Sequence, residues 1–520
     1  MKEHNLTYYF RYLKDDIRAS VVVFLVAIPL CLGIALASGA PLFSGLIAGI
    51  VGGMVVTLAS GSHLSVSGPA AGLAVIVFMA IETLQSFQAF LVAVVLAGIL
   101  QVIMGYLKAG TIGAFFPSSV IKAMLAAIGL ILIIKQIPHA FGYDGSFEGD
   151  ESYMQENIAS SFEDIITSLG YISPTATFIS LFSLFVLFIW ETPMIKESFV
   201  GRYMPGALLV VVFGVVVNLV ILAVVPSLGL GVSHLVSLPP IQGIGDFLSL
   251  LQNPDWSVLT QGSVYTIAIT IAIIASLETL LSVEAVDKID PFKRIAPTNK
   301  ELKAQGLGNI VSGLLGGLPI TAVIVRSSTN VYNGGKTKTS AFLHGVWLLL
   351  AVLFFSSYLN YIPLASLAAI LLFVGYKLAS PALFKILYHQ GSEQFIPFVV
   401  TIIAILLTDL LIGIAIGMVV GLFFVIKTNY HEAITMKKEG NVCTIVFKKN
   451  VNFLNKALLR KFLAQVEEGM TLIIDGSEAE FIDHDIMETL EDYRITAKEN
   501  GIYVESKLFV DVVTAPTHEH

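Results

Sequence analysis

Glu278 is the residue that most needs an explanation. It lies in "TIAIIASLETLLSVEAVDKID", a stretch otherwise apolar enough to cross a bilayer. A carboxylate at that depth costs about 2.5–3.5 kcal/mol even on the mildest scales, so it marks a functional candidate. Ser282 follows four residues on, on the same helical face. Carboxylate and hydroxyl oxygens suit a hard cation such as Na+, completed by backbone carbonyls. The alternatives are a proton carrier and a structural hydrogen bond to a neighbouring span. Glu284 and Asp287 lie nearer the end of the span and read as solvated.

A second chemistry is written in the backbone. Residues 65–72 read "SVSGPAAG" and residues 316–326 read "GGLPITAVIVR". Each puts helix breakers at membrane depth and follows a Gly-rich stretch. Irregular backbone is tolerated there only where it is buried in protein or lines a cavity. Proline suits the first turn of a helix, so each break is expected to start a half-helix at Pro69 or Pro319. A helix N-terminus carries about half a positive charge and unpaired N–H donors. Two such ends face to face would bind an anion without a buried cation. Arg326 is placed at the far end of the second half-helix, where it either attracts anions by fixed charge or snorkels to the surface.

The elements that must position these groups follow from hydropathy. The 520-residue chain is 55% hydrophobic and 13% charged, with mean hydropathy +0.82. A soluble protein would carry about 25% charged residues. Fourteen spans are expected, near 18–38, 43–61, 67–81, 87–107, 118–137, 172–192, 204–226, 262–284, 302–315, 319–334, 339–358, 362–377, 394–409 and 411–427. Lys and Arg cluster before the first span, at Lys108, at Lys196 and Arg202, across 288–303, at 336–338, at 377–385 and from Lys427. All fall on one side if both termini are cytoplasmic. The opposite side fits, because residues 143–164 hold seven acids and no base. Lys135 is the outlier.

The two breaks fall third in successive runs of seven spans, about 18–226 and 262–427. Pro69 aligns on Pro319 with one gap. Seven is odd, so the second run is inverted, and matched interruptions in two halves point to a transporter's binding site. A multi-pass protein of a bacterial-type plasma membrane is expected, with residues 1–17 cytoplasmic. Cys31 and Cys443 give no disulfide framework or metal spacing. Neither a cofactor beyond a coupling Na+ nor a nucleic-acid partner is expected.

Five stretches, taken in order, carry a family resemblance. They are "DIRASVVVFLVAIPLCLGIALASGAP", "SVSGPAAG", "FFPSSVIKAMLAAIGLILI", "SLETLLS" and "GNIVSGLLGGLPITAVIVRSSTN". With them the chain resembles the SulP family of inorganic anion transporters over nearly its whole length. The resemblance implies a seven-plus-seven inverted repeat, a core domain moving as an elevator against a gate domain, and a homodimer. It places the anion between the third and tenth spans, at Leu30, Ala70, Ala71, Gly72, Thr321, Ala322 and Val323. Where the family often has Thr, Ala70 stands here. The Na+-coupled bicarbonate branch has an acid and a hydroxyl where Glu278 and Ser282 stand. It also has a small-small-Thr run, here Ala322, Val323 and Ile324, which lacks the hydroxyl. The "LPITAVIVRSS" form is similar to a subgroup associated with carbonic anhydrases, which favours bicarbonate over sulfate.

From Tyr430 the pattern turns polar. "NVCTIVFK" and "MTLIIDGS" read as strands, "KALLRKFLAQVEEG" and "DIMETLEDYRITAKENG" as helices, and "IYVES" as a further strand. Residues 430–510 resemble a short STAS domain, followed by a disordered tail over 511–520. The family's phosphorylatable Ser position holds His484 and Asp485, which implies no such switch. Two other readings remain open: a nucleobase–proton symporter of similar architecture, and an anion channel or non-transporting scaffold. No nucleophile–base pair or phosphate loop supports an enzyme.

Overall fold

The computed structural model of the chain describes residues 6–111, 117–143, 170, 172–196, 198, 201, 204–241, 243–408 and 410–507. The acid-rich stretch 144–164, Asp409 and the terminal residues 511–520 lie outside the described residues. The chain divides into two compact units, 1–389 with 398–416 and 390–397 with 417–520.

Apolar runs become helices in the expected order. They are α1 (Leu6–Ala37), α2 (Leu42–Val51, extended by a π turn to Ala59), α3 (Ala71–Leu84), α4 (Phe87–Tyr106), α5 (Ser118–Ala140), α6 (Pro174–Trp190) and α7 (Gly206–Val224). The second run comprises α8 (Gly262–Ile289), α9 (Thr298–Leu314), α10 (Ile324–Tyr332), α11 (Lys338–Leu359), α12 (Leu364–Leu378), α13 (Ser392–Leu407) and α14 (Leu410–Glu432). Eight described helices are long and apolar enough to cross a membrane by themselves. Side-chain caps start several: Ser86 accepts from the Ala89 N–H before α4, and Ser173 from the Ala176 N–H before α6. α3 and α10 are short because the chain ahead of each is a strand, β1 (Ser67–Pro69) and β2 (Ile320–Ala322).

Glycine contacts display the inverted repeat. α2 meets α11 at Gly53 and Gly345, where added Cβ atoms would lie 2.6 Å and 2.9 Å from the partner's backbone. Shifting each helix by seven gives α9 and α4, which meet at Gly306 and Gly98, each Cβ position 2.6 Å from the other's carbonyl oxygen. α5 meets its own mate α12 at Gly129 and Gly375. Close backbone approach through small residues is how membrane helices pack.

A polar lattice ties together one face of this unit. Glu301, fully buried, accepts from the Ser60 hydroxyl at 2.8 Å, from the Ser62 N–H at 2.8 Å and from the Gly61 N–H. Asp16, also fully buried, accepts from the Lys336 N–H at 2.7 Å and from Thr337. Asp290 pairs with Arg294 at 2.7 Å. Burial pushes the Asp290 carboxyl up, but the Arg294 guanidinium and the Phe292 and Arg294 N–H groups outweigh it and hold it below the usual range.

The C-terminal unit has a four-stranded sheet in the order β3-β4-β5-β6. The strands are β3 (Ile434–Glu439), β4 (Val442–Val451), β5 (Thr471–Ile482) and β6 (Tyr503–Lys507), with helices α15 (Lys456–Leu463) and α16 (His484–Glu499). β3 pairs antiparallel with β4, and the other pairings are parallel. Alternation buries Cys443, Ile445 and Phe447 completely, as the strand pattern requires. β3 was not anticipated. Its sequence "ITMKKE" is lysine-rich, as an edge strand's often is.

Candidate anion site at the helix breaks

β1 and β2 pair antiparallel, with Ser67 opposite Ala322, Gly68 opposite Thr321 and Pro69 opposite Ile320. A two-stranded ribbon at membrane depth has two open edges whose polar groups need partners. β1 ends in Pro69, which has no N–H to satisfy. Its carbonyl accepts from Arg326 Nη2 at 3.4 Å. On β2 the Ile320 N–H donates to Asn309 Oδ1 at 2.6 Å, and Asn309 Nδ2 donates back to the Ile320 carbonyl at 3.1 Å. The Ala322 N–H donates to Thr279 Oγ1 at 3.3 Å. Behind Asn309 a chain of amides continues: Asn309 Nδ2 donates to Gln101 Oε1 at 2.6 Å, and Gln101 Nε2 to Ser276 Oγ at 3.2 Å. All four of these side chains are at most 2% exposed.

The ribbon corrects the expectation that the prolines begin the half-helices. Pro69 is the last residue of β1, and Pro319 precedes β2. Proline's fixed φ and missing donor suit a strand edge as well as a helix start. The helices begin later, at Ala71 and Ile324, after N-caps Ala70 (φ −117, ψ 137) and Val323 (φ −118, ψ 118). Neither cap has a side-chain hydrogen bond, so first-turn N–H groups are left for another acceptor. In the pairing register each cap lies two residues beyond the ribbon's centre, in opposite directions. The two helix N-termini therefore stand up to ~13 Å apart, at about 3.3 Å per strand residue.

Arg326 is also relocated. Because β2 delays the helix, Arg326 falls in the first turn of α10 and is fully buried, so it does not snorkel. Its Nη1 packs against Gly68, leaving no room for a Cβ there. Nε and Nη1 have no hydrogen-bond partner. The Cys31 thiol, next to the buried Leu30 on α1, lies within its hydrogen-bonding reach.

Glu278 reaches the opposite half-helix. A Cβ on Gly72, in the first turn of α3, would lie 2.8 Å from both carboxylate oxygens of Glu278. Its Oε2 is buried without a hydrogen-bond partner. Ser282 is buried at 8% exposure one turn further along α8. Thr321 is fully buried, and its hydroxyl donates to the Ala322 carbonyl at 3.2 Å. Ile324, the first residue of α10, is 39% exposed. Ala71, Gly72, Val323 and Glu278 thus gather around the two helix starts. Gln101, Thr279 and Asn309 are site-supporting residues that the sequence reading missed. The signal existed, because a lone amide in an apolar span is costly for the same reason as Glu278.

Comparison with known proteins gives a consistent picture. The family described as the sulfate permease family matches residues 13–403. A putative sulfate transporter, YvdB of Bacillus subtilis, is 29% identical over 81% of this chain and 75% of its own length. The bicarbonate transporter BicA of Picosynechococcus is 26% identical over 79% of this chain and 70% of its own. The fold matches the transmembrane domain of a cyanobacterial BicA with a TM-score of 0.64 at 21% identity, covering 79% of this chain and 98% of that one. It matches the overall structure of SLC26A9 with a TM-score of 0.77 at 17% identity, covering 98% of this chain and 85% of that one.

Proposed function

This chain belongs to the sulfate permease family, and from that premise we propose that the inorganic anion it carries is bicarbonate ahead of sulfate, in symport with Na+ or H+. It is a multi-pass membrane transporter of anions and not an enzyme. The observation that carries the finer reading is a carboxylate, Glu278, set against the uncapped start of α3.

An anion between the two helix starts would accept from the first-turn N–H groups of Ala71 and Gly72 and of Ile324 to Arg326. Arg326 adds fixed positive charge behind β1. An ionised Glu278 repels that anion. Binding therefore goes with neutralisation of Glu278, either by a proton or by a cation shared with Ser282 and the main-chain oxygens of Ala322 and Ile324. Bicarbonate also brings an O–H of its own, which can donate to Oε2. Sulfate at neutral pH is a dianion without a donor. These are the reasons to put bicarbonate first.

The wider assignment follows the same reading. α1–α4 and α8–α11 move as an elevator core against α5–α7 and α12–α14, within a homodimer in the plasma membrane with both termini cytoplasmic. Residues 18–429 form the transport domain. Residues 430–510 form a STAS-like domain that packs or dimerises, with His484 and Asp485 opening α16 in place of a phosphorylatable Ser. The test is uptake of labelled bicarbonate and labelled sulfate into proteoliposomes, with and without Na+ and pH gradients. Bicarbonate uptake that requires either gradient supports the reading. Sulfate uptake without bicarbonate uptake overturns the substrate order, and uptake indifferent to both gradients overturns the coupling.

A further inference from the structure

The first turns of α1 carry bases that the anion site does not use. Arg11, Lys14 and Arg18 are exposed, and their spacing stacks them on one helix face. Like charges so placed repel, and only an acid or an outside anion relieves them. The chain supplies no acid. Among the described residues no carboxylate lies within ion-pair distance of any of the three. Asp15, also exposed, pairs with none of them, and Asp16 is buried on the far side of the helix against Lys336 and Thr337. Arg11 lies over the Tyr12 ring, 5.6 Å from its centroid, a contact that leaves its charge in place. The neighbouring loops fix the depth of these bases. Arg294 Nη1 donates to the Tyr8 hydroxyl at 3.1 Å, and the Lys336 N–H donates to Asp16 at 2.7 Å. Phe292 and Ile295, beside Arg294, are 47% and 84% exposed, so protein does not enclose that loop. Such a loop lies outside the hydrocarbon layer. α1 has 32 residues, about 48 Å at 1.5 Å per residue, against ~30 Å of hydrocarbon. Its first turns therefore stand among the lipid headgroups. Further along, the same face turns apolar. Ile17 and Val21 are 41% and 38% exposed, and Phe24, Leu25 and Ile28 are partly exposed. At ~100° per residue the bases and these apolar residues share an arc of about 140°.

We propose that this face of α1 binds an anionic phospholipid, its phosphate among Arg11, Lys14 and Arg18 and an acyl chain along Ile17, Val21 and Leu25. A zwitterionic lipid offers the same chains, but its ammonium group opposes the three bases. Free phosphate offers the charge and leaves the apolar stripe uncovered. Every contact comes from one helix, so the site survives any movement of α1 against its neighbours. Each base beside an anionic lipid surface strengthens binding about fivefold, and three together about a hundredfold. The same helix runs on to Cys31, which meets Arg326 at the helix breaks. A lipid held at the start of α1 thus anchors a helix that reaches the candidate anion site. The proposal goes beyond the transport reading and does not depend on which anion is carried.

The experiment follows the thermal unfolding midpoint of the full-length protein, purified in detergent and stripped of lipid. Phosphatidylglycerol, phosphatidylcholine with the same chains, or inorganic phosphate is added back in increasing amounts. It compares wild type, the triple variant Arg11→Gln/Lys14→Gln/Arg18→Gln, Lys14→Gln alone, and Lys437→Gln/Lys461→Gln/Lys498→Gln. The last removes the same charge from exposed positions of the C-terminal unit. Wild type should be stabilised by phosphatidylglycerol at a concentration about tenfold below that needed of phosphatidylcholine, and inorganic phosphate should have no effect. The α1 triple variant should need about a hundredfold more phosphatidylglycerol and Lys14→Gln about fivefold more, with the C-terminal triple variant like wild type. Equal wild-type responses to the two lipids overturn the proposal. So does an unchanged response in the α1 triple variant, or an equal loss in the C-terminal one. A response to inorganic phosphate that matches the one to phosphatidylglycerol assigns the bases to a free anion and overturns the lipid. If the α1 triple variant does not fold, an unchanged response in Lys14→Gln overturns the proposal. None of these readings uses uptake, so this proposal and the transport reading fail separately.

Discussion

Glu278 and Gly72 form a pair in which the absent side chain matters as much as the charged one. The carboxylate occupies the space a Cβ would need, and it does so at the positive end of α3. Glu278→Gln keeps the shape and removes the charge. It should abolish the stimulation of anion uptake by Na+ or pH gradients, and parallel uptake assays with and without each gradient would show it. Retention of the wild-type stimulation would assign Glu278 to structure. Ala71 is the first residue of α3 and is only partly buried. Bulk there should close the space between the helix starts. Ala71→Leu should therefore lower anion uptake at least about tenfold with the protein still folded, and normal transport with normal affinity would count against the site.

At the scale of elements, the unusual object is a β ribbon inside a helical membrane protein. Its edges are satisfied by side chains from α8, α9 and α10 instead of by further strands. Asn309 imitates a neighbouring strand by both donating to and accepting from Ile320. Removing it leaves at least two buried groups unpaired, at about 1–3 kcal/mol each. Asn309→Ala should destabilise the protein by about 2–4 kcal/mol and lower uptake with it, measurable as a thermal shift in detergent beside the transport assay. A variant as stable as wild type would show that the ribbon does not need this cover.

At the scale of the molecule, the positive residues predict a sidedness that labelling can check. With the buried Cys31 and Cys443 as the only native thiols, single cysteines can be added. Ser146→Cys, in the acidic stretch, should react with an impermeant maleimide on intact cells. Lys437→Cys, in the C-terminal unit, should react only after permeabilisation. The reverse pattern would invert the topology. The C-terminal unit's order of strand, helix, strand, helix, strand was readable because alternation and helical periodicity differ sharply there. The initial edge strand β3 was not, because its lysines hide that alternation.

The order of the long apolar helices, the two interruptions and the lone Glu278 could all be read from the chain. Each reflects a local rule, since about twenty apolar residues cross a bilayer and a buried charge or break needs a reason. The positions at which α3 and α10 begin were not legible, because Pro69 and Pro319 are compatible with a strand edge as well as with a helix start. Pairing of β1 with β2, 250 residues apart by the Gly68–Thr321 register and more, decided it. The same pairing placed Arg326 in a first turn. Gln101, Thr279 and Asn309 acquired their roles only when α4, α8 and α9 converged on one edge, because a hydrogen-bond partner is a property of the fold and not of the residue.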